Sequence, residues 1–314
     1  MHQIKNNTIQ VEPILKADNI QKNYPLKQNI LFKSRYIKAL DRISLAINNK
    51  ASIGIVGESG SGKTTLAKLL AGVEKTDNGA IFYKNRDIYD KDTYKDYRKN
   101  VQIIFQDPFS AFNPKLRIKT TFKDIYKKHY KDTTFTPHVF DNILNSVGLK
   151  HEDLYKFPHQ FSGGQRQRLS IARALILDPE VIIADEPVSA LDVSIQAQIL
   201  NILKNLIISY NKSLVLISHD LAIVKYLCKE VIILYKGIMM ERGLKDEIFN
   251  DYKHPYTELL LNVSKKKIVD IGKYENNGKC PFSNRCKYFS NLCKDEIAVK
   301  KISSTHYVRC TRYK

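Results

Sequence analysis

Residues 57–65 read Gly57-Glu58-Ser59-Gly60-Ser61-Gly62-Lys63-Thr64-Thr65. The stretch satisfies G-x-x-x-x-G-K-[ST], the pattern of a loop that wraps phosphate groups. Its flanks decide the fold. Ser52-Ile53-Gly54-Ile55-Val56 before it reads as a buried strand, and Leu66-Ala67-Lys68-Leu69-Leu70-Ala71 after it as the first turns of a helix. The glycines allow a tight bend whose successive N–H groups aim at an anion, and the helix start adds partial positive charge. In such a loop Lys63 reaches the β- and γ-phosphates of a nucleotide and the Thr64 hydroxyl holds Mg²⁺.

Outward from this loop, the 314 residues suffice for one large domain with an appendage, or two modest domains. An apolar fraction of 43% allows a sizeable core. No stretch approaches the ~18 to 20 consecutive apolar residues of a membrane span, and Met1-His2-Gln3-Ile4-Lys5-Asn6-Asn7 lacks the apolar region of a signal peptide. A cytosolic chain is expected, touching a membrane through partners or its surface. The net charge of +19 suits nucleic acid, anionic lipid or acidic partners. The lysines are dispersed, however, with Lys265-Lys266-Lys267 the only run of three, which favours a solvated lysine-rich surface.

Residues 11–56 read as strands and turns with an insertion-like loop near Pro25–Arg35, and Gly79–Tyr83 alternates like a strand. From about Asp107 to Leu177 the pattern is helical, broken at Pro108, Pro114, Pro137 and Pro158. Val181-Ile182-Ile183-Ala184 reads as a central strand, Ser194–Ser209 as an amphipathic helix, and Ser213–Ile217 as another buried strand. This alternation implies a parallel α/β sheet. Beyond about Asp251 the composition shifts to Lys, Asn and Cys. A division follows into residues 1–250, with a helical subdomain at about 107–177, and a separate tail module at 251–314. No internal repeat is present.

Two further stretches belong with the phosphate loop. The run 181–186 closes on Asp185 and Glu186; an acid at the carboxyl end of a neighbouring strand holds the Mg²⁺ shell, and the next is placed as base toward an attacking water. Residues 161–167, Phe161-Ser162-Gly163-Gly164-Gln165-Arg166-Gln167, precede the helix Arg168–Leu177. Ser162 suits an N-cap, and the two glycines expose backbone N–H groups. This is a second anion cradle, redundant in one chain, so two chains are expected to pair, each closing the other's nucleotide.

Together these segments resemble the ATP-binding-cassette (ABC) ATPases over roughly residues 14–250. Residues 57–65 match Walker A, and Gln106 in Ile103-Ile104-Phe105-Gln106-Asp107 matches the Q-loop glutamine. Residues 161–165 match the signature motif, with Phe161 where leucine is commoner. Asp185 and Glu186 match Walker B and the catalytic glutamate, Ser189-Ala190-Leu191-Asp192 the D-loop, and His219 in Ile217-Ser218-His219-Asp220 the switch histidine. The resemblance implies an α/β P-loop NTPase core of the ABC ATPase type with a helical subdomain and a small Cys-containing C-terminal extension. It implies Glu186, His219 and Gln106 as the catalytic set, with Thr64, Gln106 and Asp185 around Mg²⁺. Residues Gly57–Thr65 would contact one ATP, and Ser162, Gly163, Gly164, Gln165 and Asp192 the ATP of a partner. Tyr24, in Lys22-Asn23-Tyr24-Pro25, stands where the family stacks an aromatic on adenine, with Tyr36 the alternative.

Phe105–Pro114, Val193–Gln198 and His254-Pro255-Tyr256-Thr257 resemble the peptide and nickel importer ATPases, most of all the second ATPase of oligopeptide/dipeptide importers. The implied assembly is a sister ATPase, two membrane permeases and an external binding protein, with this chain peripheral at the cytoplasmic face and no nucleic acid involved. Nickel import remains the near alternative. A soluble DNA- or ribosome-associated ABC ATPase is the distant one, since the chain has one cassette and none of the insertions usual there.

Four of five cysteines lie in the tail: Cys280, Cys286, Cys293 and Cys310. In a cytosolic chain such a group points to metal or redox chemistry. The spacing is wider than the C-x2-C pairs of zinc ribbons, and four thiolates suit a [4Fe–4S] cluster; a zinc site and simple reduced thiols stay open. Cys280-Pro281-Phe282 and His306–Cys310 resemble the tail of peptide-importer ATPases, some of which carry such a cluster. The cassette has a core of its own, so its ATP site is expected to survive loss of the tail metal. Cys228 reads as a buried thiol.

Overall fold

The structure, a computed structural model, describes residues 12–26, 36–130, 135–265 and 278–313. Most of the insertion-like loop near 25–35 and two lysines of the run at 265–267 lie outside the described residues. In chain order the described strands are β1 (Leu15–Pro25), β2 (Tyr36–Ile47), β3 (Ser52–Val56), β4 (Asn78–Tyr83), β5 (Arg86–Asp87), β6 (Val101–Ile104), β7 (Val181–Asp185), β8 (Ser213–Ile217), β9 (Glu230–Tyr235), β10 (Ile238–Leu244), β11 (Lys300–Lys301) and β12 (Tyr307–Val308).

The larger sheet runs β11-β12-β10-β9-β3-β8-β7-β6. Its five strands from β9 to β6 are parallel, and β10, β12 and β11 continue it antiparallel. A second, antiparallel sheet runs β2-β1-β4-β5. The central runs are apolar throughout because both faces are covered. Successive residues go to opposite faces: Ile182, Ala184, Leu214, Leu216, Val231 and Ile233 join the core under the helices. Val181, Ile183, Val215, Ile217, Ile232 and Leu234 join the core shared with the small sheet.

The stretch read as helical contains the helices Ile118–His129, Asp141–Ser146 and Gly163–Leu175 joined by short 3-10 turns. Phe122 and Phe140 meet edge to face at 5.2 Å and bind the first two together. Cys228 is 2% exposed against Gly54, and burial pushes its thiol up to about 12.

The tail joins the main body. His254 caps the helix Pro255–Ser264, its Nδ1 accepting the Tyr256 N–H at 2.9 Å, with proline at the first helical position. Strand β12 pairs with β10, and Cys280, Phe282, Cys293 and Ile297 enter the core under the helices. One fully buried carboxylate ties these pieces together. Glu241 on β10 accepts from the Lys253 N–H at 2.6 Å, the His254 N–H at 2.9 Å and the Thr257 hydroxyl, and lies 2.7 Å from His306 Nε2. A buried acid needs such donors, since stripping its water uncompensated is costly.

Candidate active site

Parallel strands bring their carboxyl ends to one side of a sheet, where α/β folds bind ligands. Here the phosphate loop leaves β3, Gln106 follows β6, Glu186 follows β7 and His219 follows β8. They open on a cleft of about 850 Å³.

Two glycines of the loop are fixed by close backbone approach. A Cβ on Gly57 would stand 2.1 Å from Leu234 O, and one on Gly62 2.5 Å from Ala39 O. Gly62 also has φ of 100°, a left-handed turn that starts the helix Lys63–Leu70. The Lys63 ammonium donates at 2.8 Å to the carbonyls of Gly57 and Glu58. Burial lowers its pKa, opposed by Glu186, Asp185 and Glu58. Ser59, Gly60, Lys63, Thr64 and Thr65 line the cleft, whereas Ser61 is buried behind it.

The Thr64 hydroxyl donates to Asp185 Oδ1 at 3.3 Å. Asp185 is 2% exposed; burial raises its pKa and the Thr64 hydrogen bond opposes that. The two oxygens form a hard-donor pair suited to Mg²⁺. Gln106 Nε2 and His219 Nδ1 both approach Glu186 Oε2, at 3.4 and 3.2 Å. Tyr24 lines the cleft and its hydroxyl donates to Glu74 Oε2 at 2.5 Å. Tyr36, opposite Pro25 on β2, is 62% exposed and stands away from the cleft walls. Lys38 and Lys236 also line the cleft. Neither is marked in the sequence, where a lysine is one of many and only the pairing of β2 with β1 brings Lys38 opposite Asn23, one position from Tyr24.

Ser162, Gly163, Gly164, Gln165 and Asp192 lie outside this cleft. Ser162 caps the helix Gly163–Leu175 in a reciprocal capping box: its Oγ accepts the Gln165 N–H at 3.3 Å, and Gln165 Oε1 accepts the Ser162 N–H at 3.0 Å. Gly164 packs on Ile195 of the helix Val193–Ile208, which Asp192 precedes. Ser162, Gly163, Gln165 and Asp192 are exposed.

Glu58, the second loop residue, turns from the cleft toward the tail. Arg285 Nη1 and Nη2 donate to its two oxygens, each at 2.9 Å, and its N–H donates to the Tyr256 hydroxyl at 2.9 Å. The tail therefore touches the phosphate loop directly.

In the tail, Cys280, Cys293 and Cys310 are buried and Cys286 half-buried. Burial pushes the Cys280 thiol up to about 11, and Cys286, Cys293 and Cys310 are each near enough to raise it further. Cys286 is likewise sensitive to Cys310 and Cys293, and Cys310 to Cys293, so all four thiols share one neighbourhood. Backbone N–H groups of Phe282, Tyr288 and Arg312 donate toward Cys280, Cys286 and Cys310. Among the described residues, the one set of three His, Cys, Asp or Glu ligand atoms within 4.8 Å of one another is His138, Asp141 and His151, already joined by hydrogen bonds. Among the described residues no three of the tail thiols lie within 4.8 Å of one another, so they are not gathered as a ligand set.

Residues 40–189 match the family model for ABC transporters, and residues 240–293 that for the oligopeptide/dipeptide transporter C-terminal region. The dipeptide transport ATP-binding protein DppF of Escherichia coli is 40% identical over 81% of this chain and 77% of its own length. The oligopeptide transport ATP-binding protein AppF of Bacillus subtilis is 37% identical over 96% of this chain and 98% of its own. The chain belongs to the ABC transporter ATP-binding family. A dimeric ATP-binding cassette, MJ0796, solved with ADP and phosphate, superimposes with a TM-score of 0.65 at 26% identity, covering 74% of this chain and 98% of that one. This ABC ATPase thus joins a cassette to the tail region typical of the peptide-transporter branch. No helix among its described residues is long and apolar enough to cross a membrane.

Proposed function

We propose that this ABC ATPase hydrolyses ATP to energise import of oligopeptides or dipeptides, working at the cytoplasmic face of a membrane. The observation that carries the chemistry is the convergence of Lys63, Thr64, Asp185, Glu186, Gln106 and His219 on one cleft at the carboxyl ends of four parallel strands. The names of DppF and AppF supply the peptide cargo.

In this reading Tyr24 stacks on the adenine and residues 57–65 wrap the phosphates. Thr64 and Asp185 hold Mg²⁺, which when bound neutralises phosphate charge. Gln106 completes that shell. Glu186 orients water and accepts its proton, and His219 contacts the γ-phosphate. The exposed Ser162, Gly163, Gln165 and Asp192, with Gly164, close on the nucleotide of a sister ATPase, in keeping with the dimeric cassette above. Two permeases and an external binding protein complete the assembly. The division at about residue 250 is retained as a functional one, with the helical subdomain at about 107–177 and the tail from 251.

For the tail we propose a [4Fe–4S] cluster on Cys280, Cys286, Cys293 and Cys310, serving structure. The shared neighbourhood of the four thiols and the N–H donors at three sulfurs support it. Anaerobic purification with iron, sulfide and zinc analysis tests it: stoichiometric zinc without iron replaces the cluster, and four freely alkylated thiols remove the metal.

The transport reading is tested by reconstituting the chain with a sister ATPase, permeases and binding protein in vesicles. ATP-dependent uptake of labelled peptide is expected. Uptake of nickel but not peptide would reassign the cargo.

A further inference from the structure

Of the nine residues in the phosphate loop, one carries a negative charge, next to where a polyanion binds. Glu58 is two-fifths exposed, and an uncompensated carboxylate there opposes the triphosphate. Arg285 meets it with two parallel N–H···O bonds of 2.9 Å, the bidentate geometry that makes such pairs strong and directional.

Arg285 is itself held. Its guanidinium lies 5.6 Å from the Phe282 ring centre and 6.0 Å from that of Tyr235. Phe282 packs on Tyr235 and Tyr256 at 5.5 and 5.4 Å. Tyr256 in turn takes the Glu58 N–H, and Tyr235 ends the strand whose Leu234 carbonyl backs Gly57. Both Phe282 and Arg285 sit in Cys280-Pro281-Phe282-Ser283-Asn284-Arg285-Cys286, between two of the four tail thiols. Whatever fixes Cys280 and Cys286 fixes the segment that grips the loop.

We infer that Arg285 is a positioning residue for the nucleotide site: it neutralises and orients Glu58, so the cysteine-bounded segment of the tail sets the affinity of the phosphate loop for ATP. The inference rests on the ATP-binding reading of residues 57–65 and holds whichever metal the thiols carry.

The experiment measures affinity of the purified full chain for a fluorescent ATP analogue with Mg²⁺, with circular dichroism and thermal melting to establish folding. Lys63→Ala tests the underlying reading: unchanged affinity there removes the ATP site itself. Given a loss in Lys63→Ala, Arg285→Gln is expected to bind about tenfold more weakly, the scale of typical coupling between sites. Adding Glu58→Gln to Arg285→Gln is expected to restore most of that affinity, because the repelling charge is gone; a merely structural role for Arg285 gives no such rescue. Cys286→Ser is expected to weaken binding in the native background and to have little effect with Glu58→Gln. Wild-type affinity in a folded Arg285→Gln, absence of rescue, or an equal effect of Cys286→Ser in both backgrounds each overturns the inference.

Discussion

The Glu186 carboxylate stands 3.2 Å from His219 Nδ1, across the ends of the adjacent strands β7 and β8. Its backbone has φ of 46°, left-handed for a residue with a side chain. Its N–H is tied to Ile217 O at 2.9 Å. Such a conformation persists where the surroundings enforce it and concentrates at functional sites. The acid is aimed by the sheet, not by a loose turn.

Glu186→Gln keeps the shape and removes the base. ATP turnover of the assembled complex is expected to fall about 10² to 10⁴-fold while nucleotide binding is retained. Turnover and affinity measured on the same preparation check it, and near-normal turnover removes the assignment.

The exposed Ser162, Gly163 and Gln165 predict a site completed between chains. The isolated chain is expected to hydrolyse ATP poorly, with turnover rising on mixing with a sister ATPase and permeases. Ser162→Arg is expected to abolish that rise. A chain shown monomeric by light scattering yet as fast as the complex rules the shared site out.

Glu241 gathers three hydrogen-bond donors and His306 in a fully buried setting. Glu241→Ala leaves these groups unpaired and is expected to cost about 3 to 5 kcal/mol of stability. Urea unfolding of the variant against wild type measures the loss; a difference below about 1 kcal/mol contradicts the role given to this residue.

His254 carries a pH dependence. Burial lowers its pKa to about 3, against about 6.5 in an unfolded chain. As pH falls below 6.5 the unfolded chain takes up the proton and the folded one does not. Stability from this group is therefore complete above about 6.5 and drains away toward pH 3, by up to about 1.4 kcal/mol per unit. His254→Asn keeps a capping acceptor and removes the titration. Melting temperatures from pH 7 to 5 are expected to fall more steeply for wild type than for the variant.

The site was legible where chemistry and chain order coincide. Residues 57–65, Asp185 and Glu186 are read from short motifs because each lies on one strand end, and β3, β7 and β8 follow from apolar runs that both cores demand. Contacts made by long-range pairing were not. Lys38 reaches the cleft only through the register of β1 with β2. The Arg285–Glu58 pair joins residues 227 positions apart, and nothing local to either announces it. Strands β11 and β12 are two residues each, too short for a period of two to show. A lysine-rich, cysteine-bearing tail reads as a module apart, and nothing local shows that Phe282 packs in the core under the helices or that Val308 pairs with Glu241.

That placement has a consequence for the sheet's border. Without β12, the Glu241–Arg242 stretch of β10 would present bare N–H and C=O groups, a template for strand addition by another molecule. The tail pairs β12 with that stretch and ends the series on β11, only two residues long and made of Lys300 and Lys301. Brevity and charge are what stop a sheet from growing. A chain cut before residue 300 would lose this terminus and leave the Glu241–Arg242 stretch of β10 open to strand addition.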